Sequence, residues 1–509
     1  MNSNVGLFLH RWAKQDPERT GISDAGHDDV ALSYVELDDR ASLVAAHLLA
    51  RGLGPRDRVA ICTANGLEFV AAWFGAVYAG CATLPIAVHS TSREIAFRLE
   101  HAQCGALVTD SDRAGVARES AERAGTNPIV MQVEDAIEEA RDGVAPVGVP
   151  PDAFAMLLYT SGTTGAAKCA CVTHTSLGAH TRALVDQTIG LTQDDCVLGT
   201  LPLTHSYGIR STLLVPFYAG ASTVFVPKFS PRRTLELCNR HQVTWLPGVP
   251  TMFIAWANDD TVAPPTSLRW CMSAGAPLLE DVRLRAEERL HAPVRQAYGL
   301  TEANLTAINA PPDDAVPGSS GKPVAGVEVR IATESDAELP RGAHGEVLVR
   351  GPNVMAGYLD DRLATAHVMR GGWLHTGDIG FIDEDGRLTI VDRTKDLILR
   401  GGASIYPSEV ESVLAEHPVV RDAAVVGQAD DYYGEEVVAI VVADSHVSVE
   451  ALDLWVRERL ASYKAPRRYA FTDALPRSGS GKTLKRRLRD QLVSGEIETE
   501  ELRPDRPAE

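Results

Sequence analysis

From Arg58 to Asp110, short apolar runs alternate with amphipathic ones. Arg58–Cys62 is apolar between polar flanks, Leu67–Ala79 carries apolar side chains around a helix, and Ala82–Ile86 is extended and ends at a proline. Ser92–His101 is helical in pattern and Ala106–Thr109 extended again. Strands separated by helices imply a parallel sheet with helices on its faces. The rhythm returns around Ser222–Val226, Val243–Pro247 and Leu268–Ser273, so much of the first four-fifths of the chain is expected to be α/β.

Between Gly318 and Gly357 the pattern changes to short alternating runs, Val327–Ile331 and Gly345–Arg350, separated by Gly and Pro. This predicts antiparallel strands or a small barrel-like region appended to the α/β body. After Ile390–Lys395 a further unit is expected, with helices at Pro407–Glu416 and at Val449–Leu460, the second begun by Ser448. Its strands are expected at Ala423–Gly427, Val437–Ala443 and Arg468–Thr472, giving a compact α+β domain of about a hundred residues. The tail from Ser494 is acidic and carries two late prolines, so it is expected to fray.

The chain has 509 residues, enough for several domains, which excludes a single small binding module. With 45% hydrophobic and 23% charged residues it has the composition of a globular enzyme, and no run reaches the ~18–20 apolar residues of a membrane span. Forty-nine Lys and Arg against 68 Asp and Glu leave a formal charge of −19, which opposes a broad surface for nucleic acid or anionic membrane. An anionic ligand must then be held by local groups. Eight cysteines, most of them in apolar runs, read as reduced and buried. The close pair Cys169 and Cys171 lacks a second Cys or His pair at zinc spacing, so no zinc site is expected there. The stretch Met1–Trp12 has no charged start, long apolar core or cleavage site, and the expected setting is cytoplasmic.

The segment Leu157-Leu-Tyr-Thr-Ser-Gly-Thr-Thr-Gly-Ala-Ala-Lys-Cys169 runs from an apolar strand into hydroxyls, two glycines and a lysine. Glycines let backbone N–H groups turn around an anion, hydroxyls add donors, and the lysine adds charge. The spacing does not fit GxxxxGK[ST], because two residues separate Gly162 from Gly165 and two more precede Lys168.

This loop resembles that of the adenylate-forming superfamily of acyl-CoA synthetases, luciferases and peptide-synthetase adenylation domains. The resemblance continues, in the family's order, through Leu201–His205, Gly248–Thr251, Ser273–Pro277, Tyr298–Glu302, Trp373–Asp378, Val391–Arg393 and Ser480–Lys482. It covers nearly the whole chain, from Tyr34 to Arg489. It implies an adenylation domain over residues 1–393 and a mobile lid over 394–509, hinged near Lys395, with ATP, Mg²⁺ and coenzyme A as cofactors. A carboxylic acid would attack the α-phosphate of ATP, giving acyl-AMP and pyrophosphate, and the acyl group would then pass to a thiol. Such chemistry needs positioned donors and cations more than a side-chain nucleophile.

By the same resemblance Thr160, Ser161, Gly162, Thr163, Thr164, Gly165 and Lys168 would wrap the phosphates. Ala274, Gly275, Ala276, Pro277, Tyr298 and Gly299 would lie near adenine, Thr301 near the α-phosphate, and Glu302 on Mg²⁺. Asp378 would bind ribose with Arg393 placed similarly, Lys482 would bring the acid and the α-phosphate together, and Gly402 lies in the loop used for the thioester step. Lys464 is a weaker candidate, read as structural. Two departures from the family pattern, Ala167 for proline and Cys169 for glycine, would loosen the loop and set a side chain near the phosphates, which suggests weaker ATP use.

His205 is the acyl- and aryl-type signature; it cannot pair with a substrate ammonium as an aspartate would, so an α-amino acid is not expected. Tyr207, Gly208, Ser211, Thr212, Ala274, Gly275 and Gly299, mostly small, would line an acyl pocket with room for a bulky or long apolar acid. The expected partner is this small-molecule acid, with no nucleic acid and no integral membrane association, in a monomer or homodimer. Two alternatives stand beside the acid:CoA ligase: an acyl-AMP ligase loading a carrier-protein thiol, and a non-adenylating paralogue that binds acyl-adenylate.

Overall fold

The computed structural model describes residues 3–502 apart from 28, 141, 161–167, 313–314, 401–402, 431–432 and 479–480. The chain divides into two compact units, Met1–Val329 with Val349–His375, and Arg330–Leu348 with Thr376–Glu509.

In the first unit the alternating pattern becomes two helix-covered sheets. A seven-stranded sheet runs in the order Gly357–Tyr358, Cys169–Thr173, Phe154–Tyr159, Ala82–Pro85, Arg58–Cys62, Ala106–Thr109 and Ile129–Gln132. Its strands are parallel from Phe154–Tyr159 onward and antiparallel at the Gly357–Tyr358 edge. Helix starts are set locally: Thr91 and Glu94 form a reciprocal capping box before Ser92–His101, and Ser33 and Glu36 another before Tyr34–Ala50. The helix Leu67–Tyr78 is apolar almost all round because it is buried all round. It packs with Val59 and Ile61 of this sheet and with Phe225 of the other.

The second sheet has nine strands, with Trp245–Gly248, Trp270–Ser273 and Val294–Leu300 adjacent and parallel, followed by the antiparallel strand Asn304–Ile308. Ligands in open parallel sheets collect outside the carboxyl ends of the strands. Here those ends carry Gly248, Ser273 and Leu300.

The alternating runs after Gly318 take the form of the strands Glu328–Ala332 and Gly345–Arg350 in a small sheet that also holds Trp373–Ile382 and Leu388–Arg393. In the second unit, Val420–Asp430 pairs antiparallel with Gly434–Ala443, which pairs parallel with Arg468–Phe471. Both faces of these strands are covered. Val410, Leu414, Leu452 and Val456 from two helices pack on Val425, Val437 and Val441, while Leu488 and Leu492 pack on Val426, Val438 and Ile440. Residues 376–393 are compact with the C-terminal residues because Asp378–Ile382 pairs with Leu388–Arg393, and the helix Pro407–Ala415 is tied to that hairpin. Ser408 N donates to Asp392 Oδ2 and its hydroxyl to Val391 O.

The tail departs from expectation. Glu500–Glu501 pairs antiparallel with Arg468 and Tyr469, and Leu502 N donates to Arg467 O at 3.0 Å. The edge strand Arg468–Phe471 has backbone groups to satisfy, and that requirement outweighs the local acidic composition.

Candidate active site

The phosphate-loop segment is closed as a hairpin. Phe154–Tyr159 pairs antiparallel with Cys169–Thr173, with Tyr159 opposite Cys169, and Thr160 N donates to Lys168 O at 2.8 Å. Thr160 and Lys168 thus stand at the two feet of the loop. Ser161, Gly162, Thr163, Thr164, Gly165 and Ala167 lie outside the described residues. Cys169 is placed differently from expectation: the residue is 1% exposed, and its side chain packs in the core with Cys104, Leu157 and Leu359. Strand alternation turns it inward, and burial drives its pKa up, so it is an inert apolar group. All eight cysteines are free, and seven of them are buried.

Tyr298–Glu302 also lies on a hairpin, between Val294–Leu300 and Asn304–Ile308. Gly299 sits opposite Leu305, where a Cβ would come within 2.3 Å of Asn304 O. The residue is therefore glycine because two backbones touch there. Thr301 and Glu302 occupy the turn and are half-buried. Glu302 Oε1 accepts a hydrogen bond of 2.8 Å from Tyr358 Oη, and Lys168 Nζ lies 5.1 Å from the centre of the Tyr358 ring. Tyr358 reaches this point because Gly357–Tyr358 pairs with Cys171 and Ala170, beside the foot of the loop. Burial and the Glu302 charge hold its phenol well above the ordinary range, so it remains a donor at neutral pH. Tyr358 thus joins the loop lysine to the Mg²⁺ candidate. The residues fit that ion: Tyr358 fixes one carboxylate oxygen, and no donor among the described residues occupies the other. Mg²⁺ is commonly content with one or two carboxylates plus phosphate oxygens.

The strand Trp270–Ser273 leads into Ala274–Pro277, with Ala274 N on Gly248 O at 3.2 Å. Gly275 has φ +93°, a conformation that favours glycine. The Tyr207 hydroxyl donates to Met272 O at 2.9 Å and lies 3.2 Å from Gly248 O, which holds the 205–208 segment against the ends of these two strands. His205 is exposed just before the helix Ser206–Ile209. The helix continues as a π-helical turn over Arg210–Leu214, a distortion common at functional sites. Ser211 and Thr212 are buried there, their hydroxyls donated to Tyr207 O and Gly208 O at 2.6 and 2.8 Å. Gly208 is small for packing rather than for pocket room, because a Cβ would lie 2.1 Å from Pro202 O.

In the second unit Asp378 and Arg393 face each other across a strand pair, with Arg393 Nε donating to Asp378 Oδ1 at 2.7 Å. Lys395 follows at a distance where Arg393, Asp396, Asp378 and Lys482 all act on its charge. Its pKa is drawn down to about 8, first by partial desolvation of the ammonium and then by Arg393. Lys482 is exposed and follows Gly481 (φ +81°), in a turn closed by Ser478 N on Lys482 O at 2.8 Å. Asp378, Arg393, Lys395 and Lys482 therefore form one electrostatic group. Lys464 is paired with Glu409 at 2.6 Å. Gly402 lies outside the described residues.

Sequence reasoning missed Tyr358, Asn304, Asn353 and Arg210. Asn304 is buried with φ +53°, and its amide donates to Asn353 O at 2.5 Å. Ser206 Oγ donates to Asn304 Oδ1 at 3.2 Å, and Arg210 Nε to Ser206 Oγ at 3.3 Å. The one cluster of three metal-type ligands among the described residues, Asp24, His27 and Glu68, serves another purpose. Asp24 accepts from Gly26 N and Leu67 N, holding the entry to the buried helix.

Two hairpins thus bring Lys168 and, through Tyr358, Glu302 together in the unit that also holds the parallel strands ending at Gly248 and Ser273. The family model of AMP-binding enzymes matches residues 9–359, and that of the AMP-binding enzyme C-terminal domain matches 409–482. The chain belongs to this family, within the adenylate-forming superfamily, and is an AMP-forming acid–CoA ligase. It is 36% identical over 500 residues to a feruloyl-CoA synthase of an Amycolatopsis species, covering 96% of this chain and 99% of that one. ATP-bound MatB from Rhodopseudomonas palustris superposes with a TM-score of 0.91 at 34% identity, covering 96% and 99% of the two chains. The o-succinylbenzoate CoA synthetase of Bacillus subtilis, in complex with its acyl-adenylate intermediate, gives 0.85 at 31%, covering 95% and 98%. Among the described residues no helix is long and apolar enough to cross a membrane.

Proposed function

We propose that the chain activates a bulky or long acyl or aryl acid, not an α-amino acid, and delivers it to the thiol of coenzyme A. The observation that best supports this is the meeting of Lys168, Tyr358 and Glu302 at the foot of the phosphate loop. Thr160, Lys168 and the loop residues 161–165 hold the phosphates. Ala274–Pro277, Tyr298 and Gly299 flank the adenine, and Thr301 contacts the α-phosphate. Mg²⁺, when bound on Glu302, neutralises charge on the phosphate oxygens. Tyr358 keeps Glu302 aimed. His205 stands at the acyl end, Asp378 accepts from ribose hydroxyls with Arg393 orienting it, and Lys482 draws the attacking carboxylate to the α-phosphate. Residues 394–509 reorient about Lys395 between the two steps, and Gly402 then serves thioester formation. The inward packing of Cys169 removes one reason to expect weak ATP use. A cytoplasmic setting and a monomer or homodimer complete the reading.

Pyrophosphate release, measured across a panel of acids with and without coenzyme A, tests it. Turnover that depends on coenzyme A supports the ligase. Adenylate accumulation indifferent to coenzyme A points to a carrier-protein thiol as acceptor, and no pyrophosphate from any acid overturns the reading.

A further inference from the structure

Arg210 is 6% exposed, and its Nε is taken by Ser206 Oγ, yet Nη1 and Nη2 have no hydrogen-bond partner among the described residues. The groups around it do not neutralise it. Ser206 belongs to its own helix, and its hydroxyl is committed to Asn304 Oδ1 on the neighbouring strand. His180, on the helix His174–Leu184, pairs through Nε2 with Leu305 O at 2.8 Å; burial and the Arg210 charge pull its pKa down to about 3, so it is neutral. No carboxylate among the described residues acts on Arg210, whose pKa is lowered by desolvation to about 9, and it is cationic at neutral pH.

Other arginines of this chain show what a structural guanidinium does. Arg400, the other arginine buried this deeply among the described residues, pairs with Glu436 at 2.7 Å. Arg283 spans Glu280 and Glu287, and Arg269 holds Asp195. A buried cation without an anion is costly, so a site that keeps one has an anion to receive. The unused edge of Arg210 carries two terminal nitrogens, the fork that pairs with a carboxylate through two parallel hydrogen bonds.

Its position gives the anion a source. Arg210 is three residues beyond Tyr207, whose hydroxyl sits at the carboxyl ends of Trp245–Gly248 and Trp270–Ser273. Through Ser206 and Asn304 it is two hydrogen bonds from the hairpin that carries Thr301 and Glu302. We propose that Arg210 is a specificity-determining residue of the acyl site, and that the acid this chain activates carries a second carboxylate that docks on its guanidinium. This rests on the ligase reading, and it replaces a wholly apolar acyl site with one that carries a cation.

The test compares straight-chain and aromatic dicarboxylic acids of graded length with their monomethyl esters, by pyrophosphate release, in the wild-type chain, Arg210→Met and Arg210→Lys. Wild type is expected to favour a diacid of matching length over its monoester by about 30-fold or more in kcat/KM. Arg210→Met should abolish or invert that ratio, and Arg210→Lys should keep part of it. Equal use of diacid and monoester by wild type at every length overturns the proposal. So does an unchanged ratio in Arg210→Met, or an equal loss for both acids, which would place Arg210 on the reacting carboxylate or in the fold. If Arg210→Met does not fold, the wild-type and Arg210→Lys ratios decide. Thermal shift separates this proposal from the ligase reading: if no acid releases pyrophosphate, stabilisation by a diacid and not its monoester, lost in the variants, still supports the site. Equal shifts with diacid, monoester and inorganic phosphate overturn it.

Discussion

Replacing Tyr358 with phenylalanine removes one oxygen and leaves the ring beneath Lys168, so it isolates the hydrogen bond to Glu302. A hydrogen bond to a charged group contributes about 1.5–3 kcal/mol when well desolvated. Both residues here are only half-buried, and partial access to water reduces this to roughly 1–2 kcal/mol, since solvent can take over the lost donor. At 1.36 kcal/mol per factor of ten, the expected loss is roughly 5- to 30-fold in kcat/KM for ATP. The acid's KM should move little. Because the phenol is held protonated well above the ordinary range, the wild-type advantage should be constant from pH 6 to 9. The assay is pyrophosphate release with ATP and Mg²⁺ varied separately at saturating acid, alongside urea denaturation of both proteins. A Tyr358→Phe variant within twofold of wild type at every Mg²⁺ concentration would refute the reasoning. A matching loss of global stability would do the same, by showing that the bond serves the fold rather than Glu302.

Lys482→Ala should abolish acyl-adenylate formation and spare thioester formation from supplied acyl-adenylate; equal loss in both assays counts against its role. Lys395 has a folded-state pKa of about 8 against an ordinary 10.5, so between those values the unfolded chain binds more protons and this group's contribution to stability rises with pH. Lys395→Met should therefore flatten the wild-type rise in urea midpoint over that window, and parallel profiles would contradict it. Gly208→Ala should destabilise the first unit by about 1–3 kcal/mol, because its Cβ would lie 2.1 Å from Pro202 O; an unchanged urea midpoint would show that the helix can shift to admit it.

The elements legible in the sequence were those with local causes. Ser92–His101 is found at its expected bounds because a capping box fixes its start, and Arg58–Cys62 because polar residues bracket an apolar run. Resemblance picks out Lys168 and Glu302, but not Tyr358, which the structure sets between them. Tyr358 sits in an unremarkable Gly-Tyr-Leu-Asp stretch and gains its place only from pairing opposite Ala170, a register between segments far apart in the chain. Arg210 belongs to none of the motifs and is deeply buried. Cys169 follows the loop directly in sequence, yet strand alternation decides which way its side chain turns. The tail's acidic composition predicts fraying, but composition cannot reveal an edge strand that takes it as a partner.

That tail pairing bears on how the protein is handled. A chain cut after Ser494 would bare the outer edge of Arg468–Phe471, leaving amide and carbonyl groups that Glu500–Glu501 and Leu502 now occupy. An uncapped edge of this kind recruits another strand, readily from a second copy. Concentration-dependent self-association seen with a trimmed protein would then report on the trimming, and measurements of oligomeric state belong on a chain that keeps these last paired residues.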